Sequence, residues 1–172
     1  VAGEVLRTPY TSSLTHHIIQ GATDVVGALT PVELVEAVKS GMIVFSRNAQ
    51  GQVQIESGVT TFVTPNEEYD AGWSKIRRVR TRYELINRIV MNTDPLVGRL
   101  DNDENGRATI VSIINQVITD MVKEGGLIGG SAAVDPNKQP QGDSAWFLID
   151  VDDKDSLERI YLEFGFRYAP AA

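Results

Sequence analysis

The residues of this chain that could do chemistry gather in four places. Asp101, Asp103, Asn105 and Gly106 occupy positions one, three, five and six of a calcium-loop pattern. Position twelve, which should supply a bidentate Glu, is Ser112, and Pro95 and Gly98 stand where the incoming helix should run. The pattern reads instead as acidic capping of a helix, because unpaired N–H groups at a helix start attract negative charge. EGGLIGG, residues 124–130, imitates a phosphate loop. Its glycines follow a helix, however, whereas a phosphate cradle must precede one so that the helix N-terminal N–H groups face the anion. His16 and His17 are the only histidines. Neighbours on a helix point about a hundred degrees apart and cannot converge on one metal ion. Glu67, Glu68 and Asp70 lie in the polar loop TPNEEYDAG, where carboxylates are ordinarily solvated rather than paired for acid/base work. No catalytic residue, cofactor site or metal site is assigned.

The remaining charged feature is basic. Lys75, Arg77, Arg78, Arg80 and Arg82 form the one cationic cluster in a chain of net charge −7. Phosphate contact would need such a cluster, but no interleaved aromatic platform accompanies it, and the acidic balance argues against nucleic acid as a partner. The spacing is read as a solvated strand edge, with Ile76 and Val79 inward, leading into a helix over 83–90.

The elements that position these residues are centred on LDNDENGRATIVSIINQVITDMVKEGGLI. Ile110, Ile114, Val117 and Met121 recur at helical spacing, and Val111, Ile118 and Val122 widen the stripe. Asp101, Asp103 and Glu104 mark the start, Lys123 the last turn, and Gly125 and Gly126 the stop, which predicts a helix from Glu104 to Glu124. Upstream, TPVE combines an N-cap Thr30, Pro31 at the first helical position and Glu33 closing a capping box. That helix should bury Leu34, Val35 and Val38 and end at Ser40-Gly41. MIVFS and QVQIESGVTTFV, separated by NAQG, read as a hairpin with Val53, Ile55, Val59 and Val63 on one face. Residues 1–29 are the least legible, with a short helix expected over 13–21 and an extended piece over 24–28. Ala145–Val151 is nearly all apolar, as in a strand covered on both faces. The closing run LERIYLEFGFRY alternates: Ile160, Leu162, Phe164, Phe166 and Tyr168 face one way, and Arg159, Tyr161, Glu163, Gly165 and Arg167 the other.

These elements predict an α/β (α+β) domain, a mixed or antiparallel sheet with helices packed on it. With 172 residues and 42% hydrophobic content, the chain can fill one ordinary core. Zero cysteines exclude disulfide and thiolate chemistry. No apolar run reaches the length of a membrane span, and a soluble chain without membrane insertion is expected. Beginning at Val1 rather than Met, it also reads as a piece of a longer protein.

The order of TPVELVEAVKSGMIVFSRNAQGQVQIESGVTTF, SKIRRVRTRYELINRIV, NDENGRATIVSIINQVITDMVKEGGL and LERIYLEFGFRY resembles the C-terminal part of contractile phage tail sheath proteins. The likeness covers about residues 24–168; residues 1–23 match loosely and are set apart as an N-terminal segment or linker. Gly41, Gly58-Val59-Thr60-Thr61, Lys75–Arg80, Asn102–Arg107 and Glu158–Tyr161 carry the matching motifs. The resemblance implies a structural subunit, not an enzyme, of a virion tail assembled in the bacterial host cytoplasm. Its copies would stack as rings around an inner tail tube and contract to drive that tube through a host envelope, with baseplate and tail terminator as further partners. It also implies that terminal arms add strands to neighbouring subunits. The regular terminal strand, Ile160, Tyr161, Leu162, Phe164, Phe166 and Tyr168, is assigned to that linkage, and Asn115, Thr119, Lys123 and Glu124 to contact with the tube. The competing readings are an enzymatic or ligand-binding α/β domain, with its site in loop 64–72 or near Arg77–Arg82, and another tail or baseplate component.

Overall fold

The longest helix forms where its caps and apolar stripe demand. In the computed structural model, which describes residues 1–166, α4 runs Glu104–Glu124. The Asp103 carboxylate accepts from the Gly106 N–H at 2.7 Å, so the acidic turn is a cap. Gly106 is obligatory there, since a Cβ would fall 2.0 Å from the Asp101 carbonyl oxygen. Gly125 ends the helix with φ of 83°, the left-handed conformation that glycine adopts without steric penalty. Ile114, Val117, Ile118 and Met121 are buried, with Ile110 and Val122 packed at the margin.

Around α4 the chain lays α1 (Ala2–Arg7), α2 (Pro31–Lys39), β1 (Phe45–Arg47), β2 (Val53–Ile55), a 3-10 turn (Ala71–Ser74), α3 (Ile76–Thr93), β3 (Leu127–Val134) and β4 (Phe147–Asp153). β1 and β2 form an antiparallel hairpin, and β3 and β4 a second antiparallel pair with Ala132 opposite Ile149. The α/β class and the antiparallel sheets are as the sequence implies. Leu85 of α3 and Leu127 and Ala132 of β3 close the core on α4. Asn115 ties α4 to β3: its side chain accepts from the Ala132 N–H at 2.9 Å and donates to the Ala132 carbonyl at 3.3 Å. The Thr30 capping box on α2 is complete, with both reciprocal bonds present.

Several local expectations fail for identifiable reasons. Residues 13–21 are not helical. Their backbone pairs with β2 instead, through His16 N–H to Ile55 O and Ile19 N–H to Val53 O, and Ile18 bridges Gln54. β-branched Ile18 and Ile19 suit that extended course. Helix occurs earlier, at Ala2–Arg7, and 24–28 forms no strand but turns at Gly27. In α2 the buried residue is Ala37, while Val35 is 52% exposed. Val53, Ile55 and Val59 are buried, but Val63 lies beyond the hairpin's paired residues and is exposed.

The basic run is not a strand edge. α3 begins at Ile76, seven residues before the expected start, and buries Arg77, Thr81 and Leu85 at intervals of four. Two of these three are polar, which hides the helical period from a count of apolar residues. Ala145–Val151 is not covered on both faces either: the neighbours Leu148 and Ile149 point to opposite faces of β4 and are both exposed, Leu148 by 55%. Among the described residues the final run forms no strand: Ile160, Tyr161, Leu162, Phe164 and Phe166 are all exposed and carry no regular structure. Tyr168 lies outside the described residues.

Candidate functional site

Two features stand out once the fold is laid down: a two-stranded sheet with unpaired outer edges, and an arm beyond Asp153 without regular structure. Among the described residues, neither the outer edge of β3 nor that of β4 has a strand partner. Open edges invite pairing with another chain. Exposed Asp150 and Asp152 on β4 put charge there, a common guard against indiscriminate association.

The arm has an anchored root and a free end. Its root is held by the cations of α3. Arg78 grips Asp153 bidentately, Nε to Oδ2 at 2.8 Å and Nη2 to Oδ1 at 2.5 Å, and Arg82 Nε adds 3.1 Å to Oδ2. Arg82 also binds Asp70 at 2.9 Å and lies 4.9 Å over the Trp73 ring. Arg77 donates to Ser156 Oγ at 2.8 Å and to the Gly125 carbonyl at 3.4 Å, so this buried cation sits at the negative end of α4. Lys75 pairs with Glu158 and lies 3.8 Å from Asp155, and Ser13 donates to Glu158 at 2.6 Å. Arg80 turns the other way, to the carbonyls of Thr8 and Pro9. Each of the five cations is therefore engaged inside the chain.

Burial would raise the Asp153 and Glu158 carboxyls, but their cationic partners outweigh it and hold both below their ordinary values. A second polar knot fixes the N-terminal segment. Tyr10 donates to Glu124, Arg88 reaches Glu124 at 2.7 Å, and the Arg88 guanidinium lies over the Tyr10 ring. Burial, then the bond to Glu124, pushes the Tyr10 phenol up to about 12.

The four residues assigned to tube contact all lie on α4 and differ in how far they are committed elsewhere. Asn115 is spent on β3 and Glu124 on Arg88 and Tyr10, while exposed Thr119 bonds the Asn115 carbonyl and exposed Lys123 lies 3.1 Å from Asp120. Asp153, Ser156 and Glu158 were invisible as anchors in the sequence reading. The signal for them was the acidic run 152–155 facing the only cationic cluster of an acidic chain. No group of three or more His, Asp or Glu among the described residues is placed to hold a metal ion. A groove of about 800 Å³ between α2 and the hairpin is bounded by Glu158, Arg159 and Tyr161.

Comparison with known proteins agrees with this architecture. Residues 68–167 match the phage tail sheath C-terminal domain family, a span that takes in the cationic helix, α4, both strands of the second sheet and the arm. The phage-like element PBSX protein XkdK of Bacillus subtilis (strain 168) is 26% identical over 94% of this chain and 37% of its own length. The sheath tail protein Lin1278 of Listeria innocua shares the fold with a TM-score of 0.67 at 17% identity, over 87% of this chain and 40% of that one. The anti-feeding prophage helical sheath in its contracted state gives a TM-score of 0.74 at 14% identity, over 91% and 45%. The chain thus spans less than half the length of each of these relatives. On the strength of the match over residues 68–167, the chain belongs to the phage tail sheath C-terminal domain family.

Proposed function

We propose that this chain is the inner, linking part of a contractile tail sheath subunit, and that it binds neighbouring copies by giving its arm, from Ile160 onward, to an open sheet edge of another copy. The observation that carries this reading is the coexistence of an unpaired alternating arm and an unpaired sheet within one chain. Main-chain hydrogen bonds along the added strand give the link, and alternate side chains give register.

The energetics favour an arm that waits for a partner. Burying Ile160, Leu162, Phe164 and Phe166 is worth roughly 6–12 kcal/mol. Ordering the seven residues 160–166 costs roughly 7–14 kcal/mol of backbone entropy. The near balance leaves the strand unformed alone and lets it form where a sheet edge adds hydrogen bonds and the second face finds cover. In a ring, many such links close at once, and each is strengthened by the high effective concentration its neighbours impose.

In this account, copies stack as rings around an inner tail tube and shift as rigid bodies on contraction, with the strand links retained and no catalytic step required. Baseplate and tail terminator meet the ends of the stack. Of the residues assigned to the tube, Thr119, Lys123 and Glu124 are exposed on α4, Glu124 with Arg88 and Tyr10 as partners. Negative-stain microscopy of the expressed full-length protein tests the reading: helical tubes or stacked rings are expected, and a small monodisperse particle at every concentration would overturn it.

A further inference from the structure

The cations of α3 do more than neutralise nearby carboxylates, because all their partners on the arm fall within one short stretch. From Asp153 to Glu158 the chain leaves the sheet and has no helical or strand structure past Asp153 itself. Such a segment would ordinarily be mobile. Here Asp153 meets Arg78 and Arg82, Ser156 meets Arg77, and Asp155 and Glu158 both meet Lys75 at the N-cap of α3, while the Lys154 N–H donates to the Gly126 carbonyl at 3.0 Å. The carboxylates are sunk in the contact, with the Asp153 side chain 8% and the Glu158 side chain 10% exposed. Leu157, between these anchors, points outward and is 83% exposed.

Past Glu158 the anchoring stops. No hydrogen bond or ion pair joins 159–166 to the body among the described residues, and every residue there is exposed. The polar contacts therefore change abruptly at one peptide, from five anchored residues in six to none in the next eight.

We propose that the α3 cations are a clasp that makes residues 153–158 a rigid root of the arm and sets the pivot of the arm at Arg159. Arg77 strengthens the assignment. Its guanidinium is buried beneath Ser156 and finds only neutral oxygens, and its Nε has no hydrogen-bond partner among the described residues. Burying a cation under neutral oxygens costs free energy, so the burial of Arg77 shows that the other contacts of the root hold Ser156 down over it. A fixed root and a sharp pivot give the arm a defined launch direction while its end follows a neighbour that moves. This use rests on the strand-donation reading above; the clasp itself is a property of the unassembled chain and is tested there.

The absence of cysteine permits clean nitroxide pairs. One label on α4 at Gln116→Cys is combined in turn with Leu157→Cys, Leu162→Cys and, as a control within the body, Ser131→Cys. Pulsed electron-electron distance measurement on the unassembled chain should give a narrow distribution to position 157, like the control, and one at least about twofold broader to position 162. Adding Glu158→Gln, which alters no residue of the core, should broaden position 157 by about twofold and leave the control narrow; Lys75→Gln should act alike. Equal breadth at 157 and 162 in the otherwise unaltered chain overturns the clasp, as does a position 157 unmoved by both substitutions. Failure of strand donation would instead show as an arm that stays broad at 162 in assembled sheath, with the clasp result unchanged.

Discussion

At the scale of single residues, Asp153 is the position on which most depends. It ends β4, starts the arm root, and takes both Arg78 and Arg82 while nearly buried. Asp153→Asn would leave two half-buried guanidinium groups short of their shared anion, and a loss of about 3 kcal/mol is expected in urea unfolding followed by circular dichroism. A change below about 0.5 kcal/mol would mean that the pairs are solvent-screened and incidental. The pH dependence has a definite sign. Asp153 and Glu158 titrate below their ordinary values in the folded chain. Their contribution is thus complete above the unfolded-state values near about 4 and is lost as pH falls through the lower folded values. The stability gap between the unaltered chain and Asp153→Asn should be constant from pH 7 to 5 and shrink below about pH 4.

At the scale of elements, α4 is the scaffold on which α3 and β3 both pack, and its ends are set by side chains rather than by the core. Asp103→Ala removes the acceptor for the Gly106 N–H and should lower stability by about 1 kcal/mol, measured as a shift in the urea midpoint at unchanged slope. A shift in slope instead would show that the cap holds more than the helix end. This helix and α2 were legible because capping residues, glycine stops and apolar period agree, and each is a local signal. α3 was only half legible, because its buried stripe runs through the polar residues Arg77 and Thr81, and Arg77 finds its partners, Ser156 and Gly125, far along the chain. The same non-locality hid the pairing of 16–19 with β2. The alternation of 160–166 is plain in the sequence, yet a pattern specifies a face and not a partner. Among the described residues that run has no strand partner.

At the scale of the whole molecule, the described residues combine two two-stranded sheets with an arm that carries no regular structure. β3 and β4 cover one side of the core and keep both outer edges open, while acidic residues on β4 restrain unselected pairing. Of the four residues assigned to the tube, Asn115 is committed to β3, while Thr119, Lys123 and Glu124 are exposed. Charge reversal at Lys123 should weaken co-assembly with the tube without altering the fold, read by co-sedimentation. The linkage is the central claim, and its direct test is removal of the arm. Truncation of the full-length protein after Arg159 keeps α4, both sheets and the contacts of Arg77 and Lys75 but deletes Ile160 and everything beyond it. Electron microscopy should then show folded subunits that no longer stack into tubes; tubes of unchanged length and abundance would contradict the account.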